Sequence, residues 1–374
     1  VSEPVEKILQ KVDLGKEDLI TLIRLGLDES RLLFETAWKA KQASVGNTVY
    51  FRGLIEYSNR CTKNCYYCGI RRHNTRYKRY RLTDLEVIEA ANYAYRNQFG
   101  SIVIQSGENS DRQFIETIEH LLWEINRLTN HALHITLSLG EQNEKTYRRW
   151  FEAGAHRYLL RIETSNPQLY RKLHPSDYRH VYERRLEALQ TLRSIGYQTG
   201  TGVMIGLPFQ TTEDLANDLL FFHTVDIDMV GMGPYIEHAE TPLYHYRDQF
   251  LPLRERLELS LKMVAILRIL MPDINIAATT AMQTIDPHGR ERALLAGANV
   301  MMPNLTPARY KQSYLLYNDK PGIEDDAEES KEAMEENIRL TGHVIGFGEY
   351  GDSAHFLRRT KEEGRRTRDE GRGR

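Results

Sequence analysis

The chain has 374 residues, a formal net charge of -2, 41% hydrophobic and 27% charged side chains. That balance can bury a sizeable core, and it is too neutral for a protein that grips nucleic acid by bulk charge. No run approaches the ~18 uninterrupted apolar residues of a membrane-spanning helix, and the opening VSEPVEKILQ lacks the basic-then-apolar layout of a secretory signal, so neither nucleic acid nor membrane is an expected partner.

Residues 3–44 are predicted to be helical. Leu14, Leu19, Leu22, Ile23, Leu25, Leu32, Leu33, Phe34 and Trp38 recur at spacings near three and four, interrupted by Gly15 and Gly26. After Gly46 short β-rich runs alternate with longer amphipathic ones. Strands are predicted at 49–57, 101–105, 133–138, 157–163, 198–205, 227–231, 275–279 and 299–302. Helices are predicted at 83–98, 111–129, 143–153, 180–195, 212–224, 253–271, 287–296 and 307–317. Eight strand–helix units predict an α/β fold, a full (β/α)8 barrel over 46–317 behind an N-terminal helical extension over 1–45; a doubly wound open sheet competes. A C-terminal helical extension is predicted over 318–357, with eight acidic residues within 324–336. Residues 358–374 carry eight basic and four acidic residues and no apolar side chain, which predicts a disordered charged tail.

The three cysteines, Cys61, Cys65 and Cys68, lie within eight residues. Three thiols cannot close a set of disulfides, so a reducing cytoplasm is the expected compartment and one metal site the expected use. Soft thiolates favour zinc or iron–sulfur clusters. Three close thiolates can hold three corners of a 4Fe–4S cube and leave the fourth iron free to coordinate a ligand. A zinc site with His73 as fourth ligand, C-x3-C-x2-C-x4-H, is the alternative.

In a parallel barrel the C-terminal strand ends share one face, where polar residues converge. The second strand ends in Ser106-Gly107-Glu108, which could also be an ordinary helix cap. Arg157, Arg161 and Glu163 share parity on the fourth strand. Two arginines facing a barrel interior need anions or carboxylates, with Glu163 available to one of them; an internal ion pair is the plain reading. Arg185 fits either a ligand carboxylate or a solvated helix face. Glycines at 202 and 206 let a ligand approach the backbone. Methionines near the strand ends suit either an apolar cavity or core filling. The histidines, His73, His156, His174, His238 and His288 among them, show no metal-ligand spacing with one another.

C-x3-C-x2-C with an aromatic before the last cysteine resembles the radical S-adenosylmethionine (SAM) signature. The segments RGLIEYSNRCTKNCYYCGIRR, IVIQSGE, ITLSLGE, RYLLRIETSNP, GLPFQT, DMVGMGPYI, IAATTAMQT and GANVMMPNLTP together resemble the HydE family of FeFe-hydrogenase maturases, in the biotin synthase and methylornithine synthase branch. The resemblance covers roughly 45–317.

It implies a closed internal cavity and one 4Fe–4S cluster on Cys61, Cys65 and Cys68, with an open iron that chelates SAM. It also implies reductive cleavage of SAM to methionine and a 5′-deoxyadenosyl radical. The implied substrate is a cysteine-bound iron carrying CO and cyanide, with HydG and HydF as possible partner maturases and an external one-electron donor. SAM would be held by Tyr67, by Ser106, Gly107 and Glu108 in place of a Gly-Gly-Glu element, and by Glu163, Arg185, Met204 and Tyr235. Gln105, Thr136, Arg157, Arg161, Thr279 and Thr280 would form anion and substrate sites, walled by Met229 and Met302, with Tyr310 close by. Some members bind a second cluster through extra cysteines near the C-terminus; with no Cys after Cys68, that ligation is excluded. A related radical SAM mutase acting on an amino acid, and a zinc-stabilised binding protein, are the competing functions.

Overall fold

The computed structural model describes residues 4–372; the outermost residues of the predicted extension and tail, 1–3 and 373–374, lie outside the described residues. Three helices lead the chain, Val5–Leu9, Lys16–Arg24 and Ser30–Ser44, divided at the two predicted glycines. Then follow β1 (Thr48–Ser58), β2 (Ser101–Ser106), β3 (His134–Ser138), β4 (Ala155–Leu159), β5 (Gln198–Thr201), β6 (Met204–Ile205), β7 (Met229–Val230), β8 (Gly233–Pro234), β9 (Asn275–Ile276), β10 (Val300–Met301) and β11 (Val344–Ile345).

The main sheet runs β10-β1-β2-β3-β4-β5-β7-β9 and every pairing in it is parallel, with β11 added beside β1. This is an α/β fold with a curved parallel sheet. Its two end strands share no extended ladder. They meet through one bridge, Ala277 with Val300, where the Ala278 N–H donates to the Val300 carbonyl at 2.9 Å. The helices between strands form where caps permit. Thr83 and Glu86 make a capping box for Asp84–Arg96, and the Asp111 carboxylate accepts from the Phe114 N–H to start Arg112–Thr129.

Several predicted strands are too long. The fourth stops at Leu159 rather than 163, and Glu163 takes a left-handed φ of 68°. The fifth breaks between β5 and β6 at Gly202, where a Cβ would lie 1.9 Å from the Gly231 carbonyl oxygen. That glycine is required by a close backbone–backbone approach. Helices at Pro167–Leu173 and Thr280–Ile285 escaped prediction, and the one predicted at 307–317 is helical only over Ala308–Lys311.

The predicted C-terminal helical extension is helical over Ala327–Leu340 and again from Ala354. Between them, Gly348–Ser353 crosses the N-terminal ends of the strands and seals that side. The Asn275 amide donates to the Gly351 carbonyl at 2.8 Å, and the Gln198 amide donates to Asp352 at 3.0 Å. Tyr350 stacks on His134 (centroids 3.7 Å apart), and His134 stacks on His156. Arg157, fully buried, bonds the Tyr350 carbonyl and the Asp352 carboxylate. Burial tends to raise the Asp352 carboxyl, but His134, Arg157 and Gln198 outweigh it and hold the group well below the usual carboxylate range.

The predicted disordered tail is contradicted as well. A helix spans Ala354–Arg372. The prediction weighed only apolar burial, whereas the anchors are ionic: Arg358 donates to Asp273 at 2.8 Å, and Arg359 meets Asp228 at 3.0 Å.

Replacing Asp352 with Ala leaves the Arg157 guanidinium buried without its counter-ion. We expect a loss of about 3–5 kcal/mol in urea unfolding at neutral pH. Because the carboxyl is depressed in the folded state, its contribution is complete above the unfolded value near about 3.9 and fades as pH falls below it. The gap between parent and variant should therefore narrow in acid; equal midpoints at pH 7 would contradict this account.

Candidate functional site

The cysteine loop leaves the C-terminal end of β1 and folds across the end of β2. The Thr62 N–H donates to the Glu108 carbonyl at 2.8 Å, and the Gly107 N–H donates to the Ser58 carbonyl at 2.8 Å. Gly107 admits this contact, since a Cβ there would lie 2.5 Å from the Arg60 carbonyl oxygen and 2.7 Å from Cys61 Cβ. Arg79 gathers the return of the loop by donating to the carbonyls of Asn59, Ile70, Arg71 and Asn74.

Cys61, Cys65 and Cys68 are half-buried and free of disulfides. Burial pushes the Cys65 thiol up to about 12, and Cys61 adds to that shift; Cys68 is raised by burial, then by Cys65 and Cys61. The three sulfurs thus sit within electrostatic reach of one another. Among the described residues no three His, Cys, Asp or Glu side chains converge on a point that would suit a single ion. His73 instead bonds Asn64, with Nδ1 at 3.1 Å from the amide nitrogen. The donor set is three soft thiols on one loop, a chemistry that suits an iron–sulfur cluster, and His73 is turned to Asn64.

A buried ionic network supports this loop. Lys63, between the first two cysteines, lies 3.0 Å from Glu141 and 3.3 Å from Glu108. Arg185 meets Glu141, approaches Glu108 at 3.8 Å and donates to the Arg161 carbonyl at 2.7 Å. The Glu141 N–H donates to Glu108 at 2.9 Å. Burial raises the Glu108 carboxyl. Burial opposes ionisation at Glu141 too, but Arg185 and Lys63 outweigh it there and hold that group low. Arg185 is thus neither a solvated helix residue nor an uncommitted cation. Glu141 was missed, although Leu139-Gly140-Glu141 ends β3 as Ser106-Gly107-Glu108 ends β2. That repetition is the signal that could have found it.

Tyr67, Met204 and Tyr235 come together, in an apolar cluster with Leu169, Leu173, Leu207 and Leu243. The Tyr67 hydroxyl lies 3.3 Å from His174 Nε2, and His174 Nδ1 lies 2.8 Å from the Tyr170 carbonyl. Burial lowers His174 to about 3. The ring is neutral, so Nδ1–H donates to Tyr170 and Nε2 accepts from Tyr67.

Arg161 and Glu163 pair at 3.1 Å, and Arg161 donates to the Val203 carbonyl at 2.9 Å. Arg157 does not join them. Arg157 lies near the start of β4 and is committed to the Tyr350–Asp352 segment at the end opposite Arg161. Met229 lies on that side too, its sulfur accepting from Arg52 at 3.0 Å. Tyr310 turns its hydroxyl to Glu86 at 3.0 Å and stacks on Tyr80; the tyrosine that Gln105 reaches, at 3.2 Å, is Tyr314. Thr136 is buried with an unpartnered hydroxyl. Thr279 caps the helix that Thr280 begins, its hydroxyl 3.4 Å from the Met232 carbonyl, and both are half-buried like Met302. The Ser106 hydroxyl donates to the Gly107 carbonyl at 2.7 Å. No described helix is long and apolar enough to cross a membrane.

Replacing Gly107 with Ala drives a methyl into the Arg60–Cys61 backbone. Iron bound after anaerobic reconstitution should fall well below the parent value while far-UV circular dichroism stays the same. Undiminished iron would mean that the loop yields without cost.

The chain is similar to known proteins in sequence and in fold. Residues 55–222 match the Radical SAM superfamily, which implies a 4Fe–4S cluster and SAM. The solved structure of a methylornithine synthase superposes with a TM-score of 0.76 at 23% identity, over 92% of this chain and 98% of that one. The FeFe-hydrogenase maturase HydG from Carboxydothermus hydrogenoformans superposes at 0.77 and 20% identity, over 92% and 79%. At those identities the likeness concerns the fold. A 3-methylornithine synthase of Methanosarcina barkeri is 28% identical over 81% of this chain and 83% of its own. The [FeFe] hydrogenase maturase subunit HydE of Thermotoga maritima is 49% identical over 289 residues, 77% of this chain and 79% of that protein. That identity, over that span, means the chain belongs to the HydE family of radical SAM enzymes in hydrogenase maturation.

Proposed function

We propose that the chain acts on a cysteine-ligated iron carrying CO and cyanide, within a cavity closed by a full (β/α)8 arrangement. The observation that carries this reading is the placement of the cysteine loop. It lies at the C-terminal strand ends, between the apolar Tyr67–Met204–Tyr235 cluster and the polar interior marked by Gln105, Thr136 and Arg161.

Cys61, Cys65 and Cys68 would hold one 4Fe–4S cluster. With it in place, one-electron reduction of SAM supplies methionine and a 5′-deoxyadenosyl radical. The chain's own residues bind and orient. Tyr67, Met204 and Tyr235 offer an apolar, water-poor wall for the adenine. Ser106, Gly107 and Glu163 would hold the amino-acid part of SAM. Glu108 and Arg185, already paired with Lys63 and Glu141, would act mainly by fixing the loop. Arg161 would receive an anionic substrate group, with Gln105, Thr136, Thr279, Thr280 and Met302 around it. HydG and HydF are the proposed upstream and downstream partners.

A second reading, a mutase acting on an amino acid, draws on the methylornithine synthase fold and on Arg161 as a carboxylate holder. Complementation separates the two: in a strain lacking HydE, this protein should restore active FeFe-hydrogenase. Continued inactivity with a loaded cluster would favour the mutase. Cys65→Ala should abolish iron binding and deoxyadenosine formation together. Arg161→Ala should keep the iron and weaken ligand binding by about tenfold or more, the scale of a lost charged hydrogen bond; lost iron would make Arg161 structural.

A further inference from the structure

Residues 60–81 contain eight basic residues and no Asp or Glu, in a chain whose net charge is -2. The fold winds this segment back around the cysteine loop as a belt. The Arg72 N–H donates to the Lys63 carbonyl at 2.8 Å, and the Arg71 N–H donates to the Cys68 carbonyl at 3.2 Å. The Asn59 amide, two residues before Cys61, donates to the Lys78 carbonyl at 2.8 Å, and Arg81 bridges Ser58.

Within the belt the basic residues divide by task. Lys63 is buried in the ionic network, Arg79 is spent on backbone carbonyls, and Arg76 pairs with Glu240 at 2.9 Å. Arg60, Arg72, Lys78 and Arg81 are exposed, and none of their side chains makes a hydrogen bond or ion pair among the described residues. The neighbouring acids do not cancel them. Asp177 bonds His180 at 2.6 Å, and Glu324 and Asp325 line a cleft with Tyr77 without an ion pair to the belt among the described residues.

We propose that this belt is the docking face for an acidic protein that carries single electrons to the cluster. The inference rests on the cluster assignment above. Gly348–Ser353 covers the far end of the sheet, and the belt packs directly on the backbone of the cysteine loop, Arg71 on Cys68 and Arg72 on Lys63. An electron from outside the chain has a short path to the cysteines across this rim. A rigid rim of unpaired positive charge steers a negatively charged carrier to that spot and sets its orientation. In the transfer the carrier is oxidised by one electron and the cluster is reduced by one; no bond forms or breaks.

The test uses the full, cluster-loaded chain and a reduced acidic ferredoxin. The variant is Arg72→Glu/Lys78→Glu/Arg81→Glu, and Lys145→Glu/Arg148→Glu, exposed residues on another helix, is the control. Binding is measured by biolayer interferometry at low and high salt. Deoxyadenosine formation is followed separately with ferredoxin and with dithionite. The belt variant should bind ferredoxin at least about tenfold more weakly at low salt and lose most of the salt dependence. It should produce deoxyadenosine at the parent rate with dithionite. Unchanged binding, or an equal loss in the control, would overturn the docking face. A parent chain that makes no deoxyadenosine with dithionite would instead count against the cluster assignment, and the binding measurement would still decide the docking face.

Discussion

Four charges brought together from separate elements, Lys63, Glu108, Glu141 and Arg185, fix the geometry on which the site depends. Lys63 lies inside the cysteine loop, the two glutamates end adjacent strands, and Arg185 comes from the helix Tyr182–Ile195. Each is nearly removed from water, so each is tolerable only while the others are present. The loop therefore cannot drift from the strand ends without exposing a buried charge to an apolar surrounding. Arg185 extends the constraint by donating to the carbonyl of Arg161, which ties the cysteine loop to the polar interior.

The two ends of the sheet are treated differently. At the N-terminal ends of the strands, Gly348–Ser353 uses its backbone carbonyls and Asp352 to bind Arg52, Arg157, Gln198 and Asn275, while Arg52 Nε and Arg157 Nε and Nη1 stay buried without a partner among the described residues. Polar residues at that end hold the fold together. At the other end Arg161 is held by a carboxylate and a carbonyl, and the Lys63–Glu108–Glu141–Arg185 network fixes the cysteine loop. Parallel strands place chemistry at their C-terminal ends, and this chain spends its C-terminal segment closing the opposite side.

The alternation of strands and helices was readable because apolar period and cap residues are local properties. Thr83 with Glu86 and Asp111 with Phe114 show that in detail. The cysteine loop was readable because its three thiols lie within eight contiguous residues. Tyr67, Met204 and Tyr235 were named from three distant segments, and the fold brings them into one cluster. Arg157 was misplaced because parity tells which face a side chain takes and not which end of the strand it serves, and Arg157 lies near the start of β4. The tail was misread because composition reports apolar content but not whether Asp228 and Asp273 wait on the other side of a contact.

The sequence by itself determined the α/β class, the clustering of the three cysteines and the basic character of the segment that follows them, because each is written in contiguous residues. Only the tertiary structure decided which arginine serves the interior and which the floor, and that Glu141 rather than solvent receives Arg185. It also decided that the basic segment closes around the cysteines as a belt. Those outcomes depend on pairing buried charges across long sequence separations, and the energy of a buried charge is set by its neighbours in space.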